Sequence, residues 1–192
     1  MRKTVIKILP SFYLFISLGL VIIPLKWFVA WMIAAFFHEL FHVLFLRLFR
    51  YQIYFIEIGW TGARIVTDGR TGLNISLCAL AGPLGGFALL LLLRVMPRLA
   101  VCGGMQALYN LLPVYPLDGG RALKGFVEHY LPVDAAKKTY LLIENVFLII
   151  MAVSVLYLVV ILRLGFYPVA FMGLLLIKNK KIPCKERHLR VQ

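Results

Sequence analysis

The chain has 192 residues, 62% of them apolar and 15% charged, with a formal net charge of +13. An apolar share so far above the roughly one-half of soluble domains excludes an ordinary water-soluble globule and reads as a membrane protein. Six spans of about 20 residues would occupy roughly 120 positions, which leaves no room beside them for a soluble domain of usual size.

The charge would suggest nucleic acid in a soluble protein, but here the basic residues lie mostly between apolar runs, where they act as topology and lipid-headgroup signals. The three cysteines, Cys78, Cys102 and Cys184, are far apart and never in a CxxC spacing, so they indicate packing positions rather than a disulfide framework or a sulfur metal site.

In chain order, Met1 to Lys7 followed by the apolar run Ile8 to Pro24 resembles a leader, but no small-x-small cleavage site follows before Lys26, so a retained span is expected. Further apolar runs cover Trp27 to Leu46, about Leu73 to Val95, about Leu99 to Leu117, Thr139 to Leu162, and the shorter Gly165 to Ile177. The expected fold class is therefore an all-α polytopic membrane protein of about six transmembrane helices, forming one domain over residues 1–192. With both ends on one face, the opposite face holds only Lys26, Arg94, Arg98 and Arg163 of the 21 Lys and Arg. That imbalance predicts cytosolic N- and C-termini. The basic tail over 178–192 is expected to lie free in the cytosol or on anionic lipid.

Between the second and third spans, Tyr51 to Gly72 is too polar to cross, rich in β-branched and aromatic residues, and punctuated by Gly59, Gly62, Gly69 and Gly72. A short β-hairpin is expected there, apolar enough to associate with the membrane interface.

The chemistry is concentrated in the second span, where His38-Glu39-Leu40-Phe41-His42 forms an HExxH motif inside an almost wholly apolar run. Residues four apart stack on one helical face, so His38 and His42 can aim imidazole nitrogens at one point, with Glu39 flanking it. A charged group near the centre of a membrane helix costs about 2.5–3.5 kcal/mol even on lenient scales, so three polar residues here require a partner such as a hydrated divalent ion. A catalytic zinc takes three protein ligands and keeps a place for water.

For the third ligand Asp118 stands out, in Asn110-Leu-Leu-Pro113-Val-Tyr-Pro116-Leu-Asp118-Gly119-Gly120-Arg121. The two prolines must break the helical ladder at membrane depth, and irregular backbone is tolerated there only where it is buried in protein or lines a cavity. In the predicted topology His38, His42 and Asp118 all fall toward the cytosolic side of the membrane. Glu39 is the expected general base, and Asn110 is either a candidate donor to substrate backbone or a developing oxyanion or, with equal weight, the donor of a structural hydrogen bond to the broken helix. His129 and His188 are read as surface residues, and Glu144, near the cytosolic end of its span, as a carboxyl that either snorkels, the favoured reading, or faces the site as a polar wall.

The pair of motifs, HELFH and Asn110 to Arg121, resembles the site-2 protease family of intramembrane zinc metalloproteases, whose signatures are HExxH and NxxPxxxLDG, and is most similar to its compact sporulation stage IV FB-like branch. The resemblance implies a bound Zn2+, a transmembrane protein substrate cut near the cytosolic leaflet, release of a transcription or signalling factor, and residence in a bacterial cell membrane. It also suggests that the hairpin pairs with an unwound substrate. No segment is long enough for the PDZ or CBS domains that the family often carries. Ala81-Gly82-Pro83-Leu84-Gly85-Gly86 is similar to the family's Gly-Pro segment beside the catalytic helix and is read as helix packing. The competing readings are a two-His-one-carboxylate iron oxygenase, which has no evident need for Glu39, and a divalent-metal transporter using the same residues.

Overall fold

The computed structural model describes residues 5–60, 62–67 and 73–160. Strand β1 (Val5–Ile8) is followed by helix α1 (Pro10–Ile22), helix α2 (Leu25–Leu48), strands β2 (Ile53–Gly59) and β3 (Gly62–Thr67), and helix α3 (Leu73–Ala88) with a 3₁₀ extension over Leu89–Leu92. Helices α4 (Pro97–Asn110), α5 (Asp118–Tyr130) and α6 (Val133–Val160) complete the described chain.

Three of these are long and apolar enough to cross a bilayer: Leu25–Leu48, Leu73–Leu92 and Val133–Tyr157. At 1.5 Å per residue, the 24 residues of α2 reach about 36 Å. Helix α1 is apolar but has only 13 residues. The run expected to span Ile8 to Pro24 is divided, because Ile8 pairs as strand and Pro10 then opens the helix. The run from Leu99 to Leu117 is likewise a 14-residue helix ending at Asn110 and then an irregular loop carrying Pro113 and Pro116. The expected sixth run, Gly165 to Ile177, and the basic tail lie outside the described residues.

Buried positions on α2 include Ala30, Ala34, His38, His42 and Leu46, a stripe at four-residue spacing along one face. Its upper part is small, so Leu89, Leu99 and Cys102 close over Ala30 and Ala34. Its lower end, Leu46, packs with Tyr51 and Cys78. The two histidines thus sit midway along the seam between α2 and α3. Large side chains elsewhere on the helices, among them Phe36, Leu44, Leu91, Ile149 and Leu156, face outward, as expected where the surroundings are hydrocarbon.

The turn out of α2 is a Schellman motif with Arg50, at φ 58°, in the left-handed position that usually takes glycine. The Tyr51 amide donates to the Leu46 carbonyl at 2.8 Å and the Arg50 amide to the Arg47 carbonyl at 3.0 Å. This reversal sends the chain directly into β2. Strands β2 and β3 pair antiparallel from Ile53↔Thr67 to Gly59↔Gly62. To the expected all-α core the structure adds β1, which pairs parallel to β2 from Val5↔Phe55 to Ile8↔Ile58, so the hairpin is part of a three-stranded sheet of order β1-β2-β3.

Helices α3 and α4 approach almost backbone to backbone. A Cβ on Gly86 would stand 2.7 Å from the Gly103 carbonyl oxygen, and one on Gly103 would stand 2.9 Å from that of Gly86. Both positions therefore require glycine for steric reasons.

Candidate active site

Three elements build the site. Helix α2 supplies His38 and His42, whose rings stand nearly perpendicular at 83° with centroids 4.8 Å apart. Helix α5 supplies Asp118 at its first residue, after the extended Leu117. Helix α3 supplies no side chain at all. It contributes Gly82, where a Cβ would lie 2.6 Å from Cε1 of His42 and 2.7 Å from Cε1 of His38, and the Cys78 carbonyl, which accepts a hydrogen bond from Nδ1 of His42 at 2.8 Å.

Asp118 Oδ2 lies 2.9 Å from His38 Nε2 and 3.1 Å from His42 Nε2, and the two Nε2 atoms are 3.2 Å apart. All three residues are buried. The bond to Cys78 fixes the His42 tautomer with its proton on Nδ1, so that Nε2 presents a lone pair to the carboxylate and to the other imidazole. Acceptors packed this closely repel one another unless a cation or a shared proton sits among them. Ligands placed tetrahedrally about 2.0–2.1 Å from a zinc ion stand about 3.3 Å apart, close to the separations found. The donor set, two imidazole nitrogens and one carboxylate oxygen, therefore fits a divalent metal of the zinc type. His38 Nδ1, buried and without a hydrogen-bond partner among the described residues, is left over by this arrangement.

Glu39, half-buried, is turned toward the sheet. Its Oε1 accepts the Ala63 amide of β3 at 3.2 Å, and its carboxylate interacts electrostatically with His42, His38 and Asp118. β3 is one of the two edge strands of the sheet, and its Ala63 amide is directed to Glu39; among the described residues no strand pairs with that edge.

Asn110 closes α4, and its Nδ2 donates to the Gln106 carbonyl one turn back at 3.1 Å. The structure thus brings His38, His42, Asp118 and Glu39 together and directs the Asn110 amide into its own helix.

Two contributors are given the blander role in the sequence reading. Gly82, read there as helix packing, lies directly against both imidazoles; a signal for it was the Gly-Pro segment itself, since only hydrogen at that position leaves room for two rings. Glu144, read as snorkelling, is 6% exposed and accepts the Tyr115 amide at 3.0 Å, three residues before Asp118.

No protein-family profile and no curated protein sequence matches the chain. Among solved structures it is similar to the site-2 protease from Methanocaldococcus jannaschii, with a TM-score of 0.67 and 20% sequence identity. The similarity covers 100% of this chain and 96% of that one. The chain has the fold of that site-2 protease.

Proposed function

We propose that this protein is an intramembrane zinc metalloprotease that hydrolyses a peptide bond in or near a transmembrane segment of a membrane-protein substrate. The observation that carries the reading is the convergence of His38, His42 and Asp118 within 3.2 Å of one another, with the Glu39 carboxylate alongside. The shared fold with a site-2 protease supports it.

His38, His42 and Asp118 would hold the metal. Zinc bound there lowers the pKa of a coordinated water to about 7 and polarises a carbonyl oxygen. Glu39 does not ligate: standing one residue from His38, it takes the proton from the attacking water and delivers it to the leaving amine. Burial of the three ligands keeps bulk water from competing for them. Asn110 would serve substrate only by turning its amide away from Gln106.

A helical substrate has its peptide groups internally bonded, so it must be unwound before a carbonyl can reach the site. The outer edge of β3, with the Ala63 amide beside Glu39, offers a strand on which an extended segment can pair. Ile65→Pro on that strand is then expected to slow cleavage of a helical membrane substrate at least tenfold more than cleavage of an already unfolded peptide. Equal loss on both substrates would remove β3 from substrate handling.

Both termini are assigned to the cytosol of a bacterial cell membrane, which puts the cut near the cytosolic leaflet and makes release of a membrane-tethered transcription or signalling factor the natural outcome. The reading is tested with purified protein in lipid nanodiscs and a labelled single-span substrate. Chelation should abolish cleavage and stoichiometric zinc should restore it. Zinc-independent cleavage, or metal flux in vesicles with no cleavage, would overturn the assignment, the latter in favour of a transporter.

A further inference from the structure

The chain must bring Asp118 to the two histidines on a segment with little means of holding itself. The loop over 111–117 carries Pro113 and Pro116, neither of which can donate a backbone hydrogen bond. Its internal bonds are short-range, from the Val114 amide to the Leu112 carbonyl at 2.8 Å and from the Leu117 amide to the Val114 carbonyl at 2.9 Å. Non-helical backbone at membrane depth has to find its partners within the protein.

Helix α6 provides one, together with apolar packing. It is the least buried of the three long apolar helices, with 6% of its apolar window inside the protein. Yet it turns one stripe inward: Glu144, Phe147, Leu148 and Met151, at the i, i+3, i+4, i+7 spacing of a single face. Phe147, Leu148 and Met151 pack against the fully buried Val114 and Leu117. Glu144 Oε1 accepts the Tyr115 amide at 3.0 Å, and the hydroxyl of Tyr140, one turn earlier, hydrogen-bonds the Glu144 carboxyl. A carboxyl on a lipid-facing helix is costly, so one that is buried against a loop amide marks a partner rather than a chance position.

We propose that Glu144, oriented by Tyr140, is a positioning residue for the metal ligand Asp118. The clamp lies three residues before Asp118 and fixes where α5 begins, and displacing a ligand by about an ångström is enough to take it out of a coordination sphere. This rests on the metal site proposed above, and it assigns α6 a role in that site although α6 contributes no ligand.

The test uses the full chain in nanodiscs, with zinc affinity measured by chelator competition and site geometry read from the d–d absorption of the Co2+-loaded protein. Glu144→Gln keeps an acceptor oxygen for the Tyr115 amide and should keep the wild-type spectrum and an affinity within about threefold. Glu144→Leu removes the acceptor and should weaken zinc binding about 10–100-fold, the range found for groups that orient ligands, and alter the Co2+ spectrum. Tyr140→Phe leaves the packing filled and should give a smaller loss in the same direction, which provides a reading even if Glu144→Leu fails to fold. Wild-type affinity and spectrum in Glu144→Leu, or in Tyr140→Phe should the former not fold, would overturn the proposal. So would a loss in Glu144→Gln as large as in Glu144→Leu. Wild-type protein that binds neither metal would instead overturn the metal site itself, and this proposal with it.

Discussion

Replacing Glu39 with Gln is expected to leave zinc content at one per chain and to reduce cleavage by about 10²–10⁴-fold, the usual contribution of a positioned general base. The substitution isolates proton transfer. Glutamine has the same shape, its side-chain oxygen can still accept the Ala63 amide, and neither His38 nor His42 loses a neighbour of different size. What disappears is the ability to hold a proton between attack and departure of the amine. Metal analysis and a single-turnover cleavage assay on the same preparation check both halves. Undiminished cleavage would refute the role of Glu39, and loss of zinc would show that its carboxylate belongs to the ligand set.

Gly82→Ala is expected to be as damaging without touching any polar group. The added methyl would lie 2.7 Å from Cε1 of His38 and 2.6 Å from Cε1 of His42, far inside van der Waals contact. Helix α3 cannot retreat without stretching the 2.8 Å bond between the Cys78 carbonyl and His42, and on its next turn Gly85 already faces the ring of Phe41. The imidazoles must therefore turn or move apart. The expected result is loss of stoichiometric zinc and of cleavage, with far-UV helicity retained. A variant that keeps one zinc per chain would mean that the α2–α3 seam is looser than its packing indicates.

His38, His42 and Glu39 are legible in the sequence because their relation is local: four-residue spacing on a helix fixes relative direction, and an apolar background makes the polar trio conspicuous. Asp118 is legible through its surroundings, since two prolines at membrane depth announce backbone that must line something. The start of α5 at Asp118 is harder to read, because Gly119 and Gly120 are weak helix formers that resemble a turn; they are tolerated where a Cβ would strike the Leu111 and Val114 backbone. Strand β1 is only four residues long and pairs with residues about fifty positions later, and a lysine-bearing amino-terminal segment gives no local sign of it. Glu144 is ambiguous for a different reason. A carboxyl near a span end looks the same whether it reaches for headgroups or for a loop, and only the rotation of α6 about its axis decides between them.

The partner that keeps a proton on Nδ1 of His42 is a main-chain oxygen. Exchanging the Cys78 side chain for any other leaves that acceptor in place, so a survey that truncates one residue at a time would pass over one of the groups that sets the electronic state of the centre. Its influence would come to light only through changes that alter the path of the neighbouring helix, and these would then look like effects at a distance.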